Sequence, residues 1–236
     1  MITNQVISLY DLTGEALRPW ADAGYECFAY DIQHDGERTE AGVTYAHADL
    51  YDDRTLLEIV ARHSNKVVFM SAFPPCTDLA SSGALWWKKK AKANPDFQQE
   101  ALSHVVECSL VGRALGCPFY IENPIGVVSR LWRKPDHKFD PYEYGGYLAE
   151  DDVHPKWPEN IPPRDAYRKK TCLWTGGRFN MPRKKPVDYL NLTYKNADNY
   201  SPVSGKTGGK SLKTKNIRSA TPRGFAQAVY AYNGAS

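Results

Sequence analysis

The sequence sets a cysteine directly after two prolines, Phe73-Pro74-Pro75-Cys76, and further on a carboxylate beside an amide, Tyr120-Ile121-Glu122-Asn123-Pro124. A thiol attacks as its thiolate. A diproline exit from a strand would hold it at a sheet edge, where a helix N-terminus or a basic neighbour favours that form. A carboxyl group at another strand end can exchange a proton with a ring nitrogen if partial burial raises its pKa. A third group, Asp11-Leu12-Thr13-Gly14, puts a glycine turn before a helix, with Asp31 about one βα unit later. Backbone N–H groups of such a turn can face a ligand carboxylate or phosphate, and the second carboxylate suits ribose hydroxyls. The glycines do not follow GxGxxG, which argues against a nicotinamide cofactor. Read singly, Gly14 is also explained as a turn, Asp31 as a cap and a lone Pro-Cys pair as structure.

The elements that must position these residues alternate. Val6–Tyr10 reads as a strand, Ala16–Ala23 as a helix closed by Gly24, Cys27–Tyr30 as a strand ending at Asp31, and Val43–His47 as a third strand ending at Asp49. Leu56–Arg62 suits a helix, Lys66–Ala72 a buried strand stopped by Pro74-Pro75, Gln98–Leu115 a helix and Pro118–Ile121 a strand ending at Glu122. Strands alternating with helices predict an α/β fold with a mostly parallel, doubly wound sheet. Chemistry in such sheets collects at the carboxyl ends of the strands, near the point where strand order reverses. Asp11, Asp31, Asp49, Cys76 and Glu122 each terminate an apolar run and would share that edge.

From about Lys134 the texture changes to proline, aromatic and acidic residues, then to a polar stretch over Pro182–Gly209. This predicts a small inserted region at 134–209, with a main domain formed by 1–133 and 210–236 and a C-terminal helix over Ala220–Ala231 docking back on it. Tyr142, Tyr144, Tyr147, Trp157, Tyr167 and Trp174 interleave with basic residues in that region, which suits base stacking and phosphate contact. About half of them are expected to form its own core.

The 236 residues suffice for one well-buried α/β domain plus a modest appendage. Five cysteines, an odd number with no CxxC pair, argue against a disulfide framework and a zinc knuckle, and no metal site is expected. No basic leader followed by an apolar stretch and no apolar run near membrane length appears, which predicts a soluble cytoplasmic protein. Net charge is +3, yet Lys and Arg cluster at Lys88-Lys89-Lys90, Arg168-Lys169-Lys170, Arg183-Lys184-Lys185 and from Lys206 to Arg218. That clustering suits a phosphate-binding surface, although any one run is also explained as a solvated loop.

Tyr10-Asp11-Leu12-Thr13-Gly14, Pro74-Pro75-Cys76, Glu122-Asn123, the Arg168-Lys169-Lys170 region and Ser219-Ala220-Thr221-Pro222-Arg223-Gly224-Phe225-Ala226 occur in the order found in C5-cytosine DNA methyltransferases. The chain resembles that family, above all its short phage-type members, over most of 6–130 and 165–230. The resemblance implies a Rossmann-like methyltransferase fold with a small recognition insert, S-adenosylmethionine as donor, double-stranded DNA as partner, and a monomer working in a bacterial or phage-infected cell. It implies that Cys76 adds to cytosine C6, that Glu122 protonates N3, that Asn123 braces the site and that Arg168 or Lys170 contacts the ring. By the same resemblance the donor falls to Tyr10, Asp11, Leu12, Thr13, Gly14, Asp31, Ile32, Asp49, Leu50 and Pro74. The target base would be flipped out of the duplex. Ser81 to Lys92 corresponds to the family's mobile loop, with Ser81, Ser82, Gly83, Trp86, Lys88 and Lys89 on the DNA; packing is the competing role for Trp86-Trp87.

Departures from the family pattern widen the range of expectations. The first loop lacks the family's repeated glycines, Ser219-Ala220-Thr221-Pro222 replaces its C-terminal motif, and its arginine-rich motif and large recognition domain are missing. An altered donor loop near Arg18, Arg218 or Arg223 suggests as an alternative a carboxylated S-adenosylmethionine analogue, and hence carboxymethyl transfer, because arginine pairs carboxylates bidentately. Two further alternatives are a catalytically silent DNA-binding relative, and a cysteine-dependent redox or hydrolytic enzyme with His47 or His104 as partner.

Overall fold

The computed structural model describes residues 4–189 and 211–234. Residues 190–210, part of the expected insert and of the basic run from Lys206, lie outside the described residues.

The core is an eight-stranded mixed sheet in the order β3-β4-β2-β1-β5-β6-β8-β7. β1 (Gln5–Leu9), β2 (Glu26–Asp31), β4 (Val43–His47), β5 (Val67–Ala72) and β6 (Phe119–Pro124) pair in parallel. β1 is buried throughout, the burial pattern of a strand covered on both faces. The chain steps outward from β1 through β2 to β4, then crosses back to β5 and out to β6. With right-handed crossovers this puts α1 (Arg18–Asp22) on one face, and α2 (Asp53–His63) and α4 (Phe97–Leu115) on the other. Ile7, Leu9, Met70, Ala72, Phe119 and Ile121 pack there with Leu56 and Ile59 of α2 and with Val105 and Val111 of α4. Strand order therefore reverses between β1 and β5, whose ends carry Asp11 and Cys76 respectively. The α/β class and these parallel strands match expectation, with boundaries shifted by at most three residues.

Several elements among the described residues were unforeseen. β3 (Glu37–Glu40) is an exposed strand antiparallel to β4, entirely polar and so without a hydrophobic signature. β8 (Thr171–Gly176) pairs antiparallel with β6, and β7 (His137–Phe139) takes the edge. Trp174, expected in the insert, is buried in the sheet's core. The segment expected as a mobile loop is a 3-10 turn, Ser81–Gly83, running into α3 (Ala84–Ala93). Alanine, leucine and lysine fill α3, all strong helix formers, and Pro95 stops it.

Two compact units divide the chain: 1–138 with 171–179, and 139–170 with 180–236. The expected 134–209 boundaries differ from this twice, because β8 completes the sheet of the first unit and the C-terminal helix Arg223–Asn233 belongs to the second. Within the second unit Phe225 stacks on Phe139 at 4.1 Å between ring centroids and meets Tyr144 edge-on at 5.1 Å. Tyr144 and Tyr167 are buried, so these two expected stacking residues serve packing. Among the described residues no helix is long and apolar enough to cross a membrane, and no His, Cys, Asp or Glu cluster has metal-binding form.

Candidate active site

The loop after β1 is organised by one buried carboxylate. Tyr10 adopts φ 57°, a left-handed value uncommon outside glycine, which turns the chain sharply at the strand end. Asp11, 3% exposed, then folds its side chain back: Oδ1 accepts from the Thr13 amide at 3.0 Å, the Gly14 amide at 2.8 Å and the Thr13 hydroxyl at 3.2 Å, and Oδ2 accepts from Ser8 Oγ at 2.9 Å. The Thr13 and Gly14 amides, expected to face a ligand, are thus spent inside the protein, because a buried carboxylate needs donors. Gly14 has φ 67°, and a Cβ there would stand 2.5 Å from the Tyr45 hydroxyl, which donates to the Thr13 carbonyl. Leu12, half-buried, remains the loop's accessible residue.

The ends of β2 and β4 carry a different surface. Asp31 Oδ1 accepts from the Gln33 amide at 2.8 Å, and burial raises its carboxyl above the ordinary value. Asp49 is exposed and accepts from the Tyr51 amide at 3.1 Å. Each is followed by exposed apolar area: Ile32 is 49% exposed, and Tyr51, two residues past Asp49, is 53% exposed. Tyr51 meets Tyr10 edge-on at 6.2 Å and His104 at 4.4 Å, and burial, followed by the Asp49, Asp31 and Asp78 charges, raises its hydroxyl above the ordinary value. The Tyr10 hydroxyl is held by the Leu50 carbonyl at 2.8 Å, and Leu50 itself is buried. Carboxylates beside exposed apolar faces have the chemistry to hold a nucleoside, polar groups towards ribose and apolar ones towards a base. Tyr51 and His104 were not assigned to it in advance; the exposed aromatic after Asp49-Leu50 was the available signal.

Cys76 follows the end of β5, and Glu122 lies within β6, two residues before its end. Phe73 N donates to the Leu9 carbonyl at 3.0 Å, carrying the β1–β5 pairing to the last residue before the prolines. Cys76 follows, half-buried, while Cys27, Cys108, Cys117 and Cys172 are all buried. Its carbonyl accepts from the Leu79 and Ala80 amides at 3.0 and 2.8 Å, closing a tight turn. From β6, the buried Asn123 donates Nδ2 to the Pro74 carbonyl at 2.9 Å, so the residue after Glu122 grips the diproline before Cys76. A second tie lies just beyond. Ser81 N donates to the Ile125 carbonyl and Val127 N to the Leu79 carbonyl, both at 2.9 Å, around an Ala80–Gly126 bridge. A Cβ on Gly126 would fall 1.9 Å from the Leu79 carbonyl oxygen, so only glycine permits this approach. Glu122, half-buried, stands one residue before Asn123.

Helix α3 leads away from that turn. Leu85 is 92% and Trp86 55% exposed, Lys88, Lys89 and Lys92 are exposed, and Ser81 and Ser82 are exposed at its root. Trp87 packs against the core, so the Trp86-Trp87 pair divides between surface and packing. Lys90 forms an ion pair with Asp78, and Gln98 Nε2 donates to the Asp78 carbonyl at 3.2 Å, fastening the turn to α3 and α4.

Arg168 and Lys170 lie in the second unit, the Arg168 guanidinium 5.3 Å from the Tyr189 ring centroid and Lys170 Nζ 3.5 Å from Asp140. Of the arginines considered for a carboxylated donor, Arg18 binds the Ala41 carbonyl at 2.8 Å, just before β4 begins and so at the amino end of the sheet. Arg223 is engaged by both oxygens of Asp152, at 2.8 and 3.1 Å. Arg218 sits in the last turn of the helix Leu212–Ser219, its carbonyl accepting from Lys169 Nζ at 3.0 Å. No protein-family model matches this chain, and no curated protein matches its sequence.

Proposed function

We propose that the protein is a DNA cytosine-5 methyltransferase on a Rossmann-like, doubly wound fold, working through a covalent bond from Cys76 to C6 of a flipped-out cytosine. The observation that carries the reading is the tie between the two reactive segments, one of them beside the point of strand reversal: Asn123, next to Glu122, bonds Pro74, two residues before the half-buried Cys76. A nucleophile and a proton donor fixed to one another are what addition across a pyrimidine ring demands.

The chemistry follows from those side chains. The Cys76 thiolate adds to C6 while the Glu122 carboxyl delivers a proton to N3, so the electron pair of the C5–C6 bond becomes an enamine nucleophile at C5 rather than an isolated carbanion. When bound, S-adenosylmethionine would supply the methyl carbon, to which C5 would bond as the methyl–sulfur bond breaks and a neutral thioether leaves. A base then removes the C5 proton, the C5–C6 double bond re-forms, thiolate leaves C6, and N3 returns its proton to Glu122. Asp31 and Asp49 hold the donor's ribose and base, Ile32 and Tyr51 supply apolar walls, and Asp11 shapes the loop from inside. Lys88, Lys89 and Trp86 on α3 meet the duplex, phosphates with lysines and bases with the ring.

Nucleosides from duplex DNA incubated with the protein and S-adenosylmethionine are expected to contain 5-methylcytosine by mass spectrometry, and none with Cys76→Ser. Tight DNA binding with unmodified nucleosides from every cytosine context would instead identify a silent DNA-binding relative. A charged 5-carboxymethyl product formed only with the carboxylated donor would identify that donor.

A further inference from the structure

β2 lies between β1 and β4 in the sheet, so the turn that follows it borders the segments after both. One residue of that turn, His34, holds all three together. It is 4% exposed, and its Nε2 donates to the Asp11 carbonyl at 3.1 Å. A carbonyl only accepts, so the proton of this bond sits on Nε2. The His34 carbonyl accepts from His47 Nδ1, at the end of β4, at 3.0 Å, and the His34 amide donates to the Asp31 carbonyl at 3.3 Å. Tyr45 of β4 adds a second hold. Its ring meets the His34 ring edge-on at 5.3 Å, and its hydroxyl donates to the Thr13 carbonyl at 3.3 Å. The loop after β1 is thus gripped at two carbonyls by His34 and Tyr45, while Asp11 Oδ1 takes the Thr13 and Gly14 amides. The turn fastened in this way carries Asp31, whose Oδ1 accepts from the Gln33 amide at 2.8 Å, and the exposed Ile32.

We propose that His34 is a positioning residue of the donor site: it presets the spacing between the loop after β1 and the turn bearing Asp31 and Ile32, so that the nucleoside of the sulfonium donor meets a site already formed. A site ordered in advance binds more tightly because the ligand need not order it. The inference rests on the methyltransferase reading for the ligand, whereas the clamp itself stands on the hydrogen bonds. The ring takes no part in the chemical step, so its loss is felt in donor binding rather than in turnover.

Calorimetric titration of the full chain with S-adenosylmethionine, joined to methylation rates over a range of donor concentrations, tests this. His34→Leu removes the N–H to Asp11 and is expected to weaken donor binding and raise the donor KM by about 10-fold, with kcat and duplex affinity within about twofold. His34→Gln still offers an N–H at the reach of Nε2 and is expected to return donor affinity to within about threefold of the unsubstituted protein. Equal losses in the two variants, or a fall in kcat with KM unchanged, would overturn the proposal. Should His34→Leu not fold, His47→Leu set against His47→Asn makes the same comparison at the bond to the His34 carbonyl. If the unsubstituted protein binds no S-adenosylmethionine, it is the donor reading that fails, and the clamp is then judged by hydrogen exchange at the Gln33 amide. Exchange faster by about 10-fold in His34→Leu but not in His34→Gln supports the clamp, and equal rates in both variants and the unsubstituted protein overturn it.

Discussion

Cys76 differs from the other four cysteines in its surroundings rather than its chemistry. Burial pushes the Cys27 and Cys117 thiols up to about 12 and the Cys108 thiol higher still, so these stay protonated and inert at neutral pH. Cys76 alone of the five is half-buried, at a turn beside the sheet edge. Iodoacetamide at pH 7.5 is therefore expected to label Cys76 at least about ten times faster than any other cysteine, as read by peptide mass spectrometry; comparable labelling at Cys27 or Cys117 would contradict the burial on which the contrast rests. At this scale the sequence was informative where a residue type closes an apolar run: Asp31 ends β2, and Asp11, Asp49 and Cys76 follow the ends of β1, β4 and β5, whereas Glu122, expected at a strand end, lies within β6 because the pairing with β8 carries that strand on to Pro124. It was silent on whether a carboxylate points outward or inward. Asp11 was expected to meet the donor and instead spends its oxygens on Ser8, Thr13 and Gly14, a choice made by the left-handed turn at Tyr10 that no side-chain pattern announces.

Elements carry the next level of control. The Ala80–Gly126 bridge fastens the segment after Cys76 to the segment after Glu122, through backbone groups alone. Ala80 has φ -75° and ψ 137°, which a following proline tolerates, so Ser81→Pro cuts the single N–H bond to Ile125 without blocking the turn. Compared with Ser81→Ala, which keeps that bond, Ser81→Pro is expected to slow single-turnover methylation by about 100-fold with duplex affinity within about threefold, since small misplacements of reacting groups cost that much. Equal rates in the two variants would remove the bridge from the account. Gly126 was invisible beforehand because its importance comes from a backbone approach that forms only in three dimensions. The same holds for β3, whose all-polar Glu37–Glu40 shows no alternation, and for β8, whose run Thr171–Gly176 was absorbed into a region judged by its prolines. Helix α3 was legible from composition, but the family resemblance suggested a loop there and outweighed propensity.

Across the whole molecule, a net charge of only +3 conceals local concentration. Lys88, Lys89 and Lys92 stand exposed on α3 beside Leu85 and Trp86. Binding driven by phosphate neutralisation weakens as salt rises, each contact contributing a slope of about 0.9 in logarithmic terms. Lys88→Ala/Lys89→Ala is accordingly expected to flatten the salt dependence of duplex binding by about 2. An unchanged slope in fluorescence anisotropy titrations would move the DNA surface elsewhere. The α/β architecture and its parallel centre were legible from alternating apolar runs, whereas the division into units was not, because β8 returns to the first unit from within a segment of second-unit composition. The most direct test of covalent addition by Cys76 uses duplex DNA carrying 5-fluorocytosine, whose fluorine cannot leave as a proton does. With S-adenosylmethionine present, the protein is expected to form a DNA adduct that survives denaturant, with Cys76 as the modified residue and none formed by Cys76→Ser. An adduct that persists in Cys76→Ser, or 5-methylcytosine formed on ordinary DNA with no adduct on the fluorinated duplex, would contradict it.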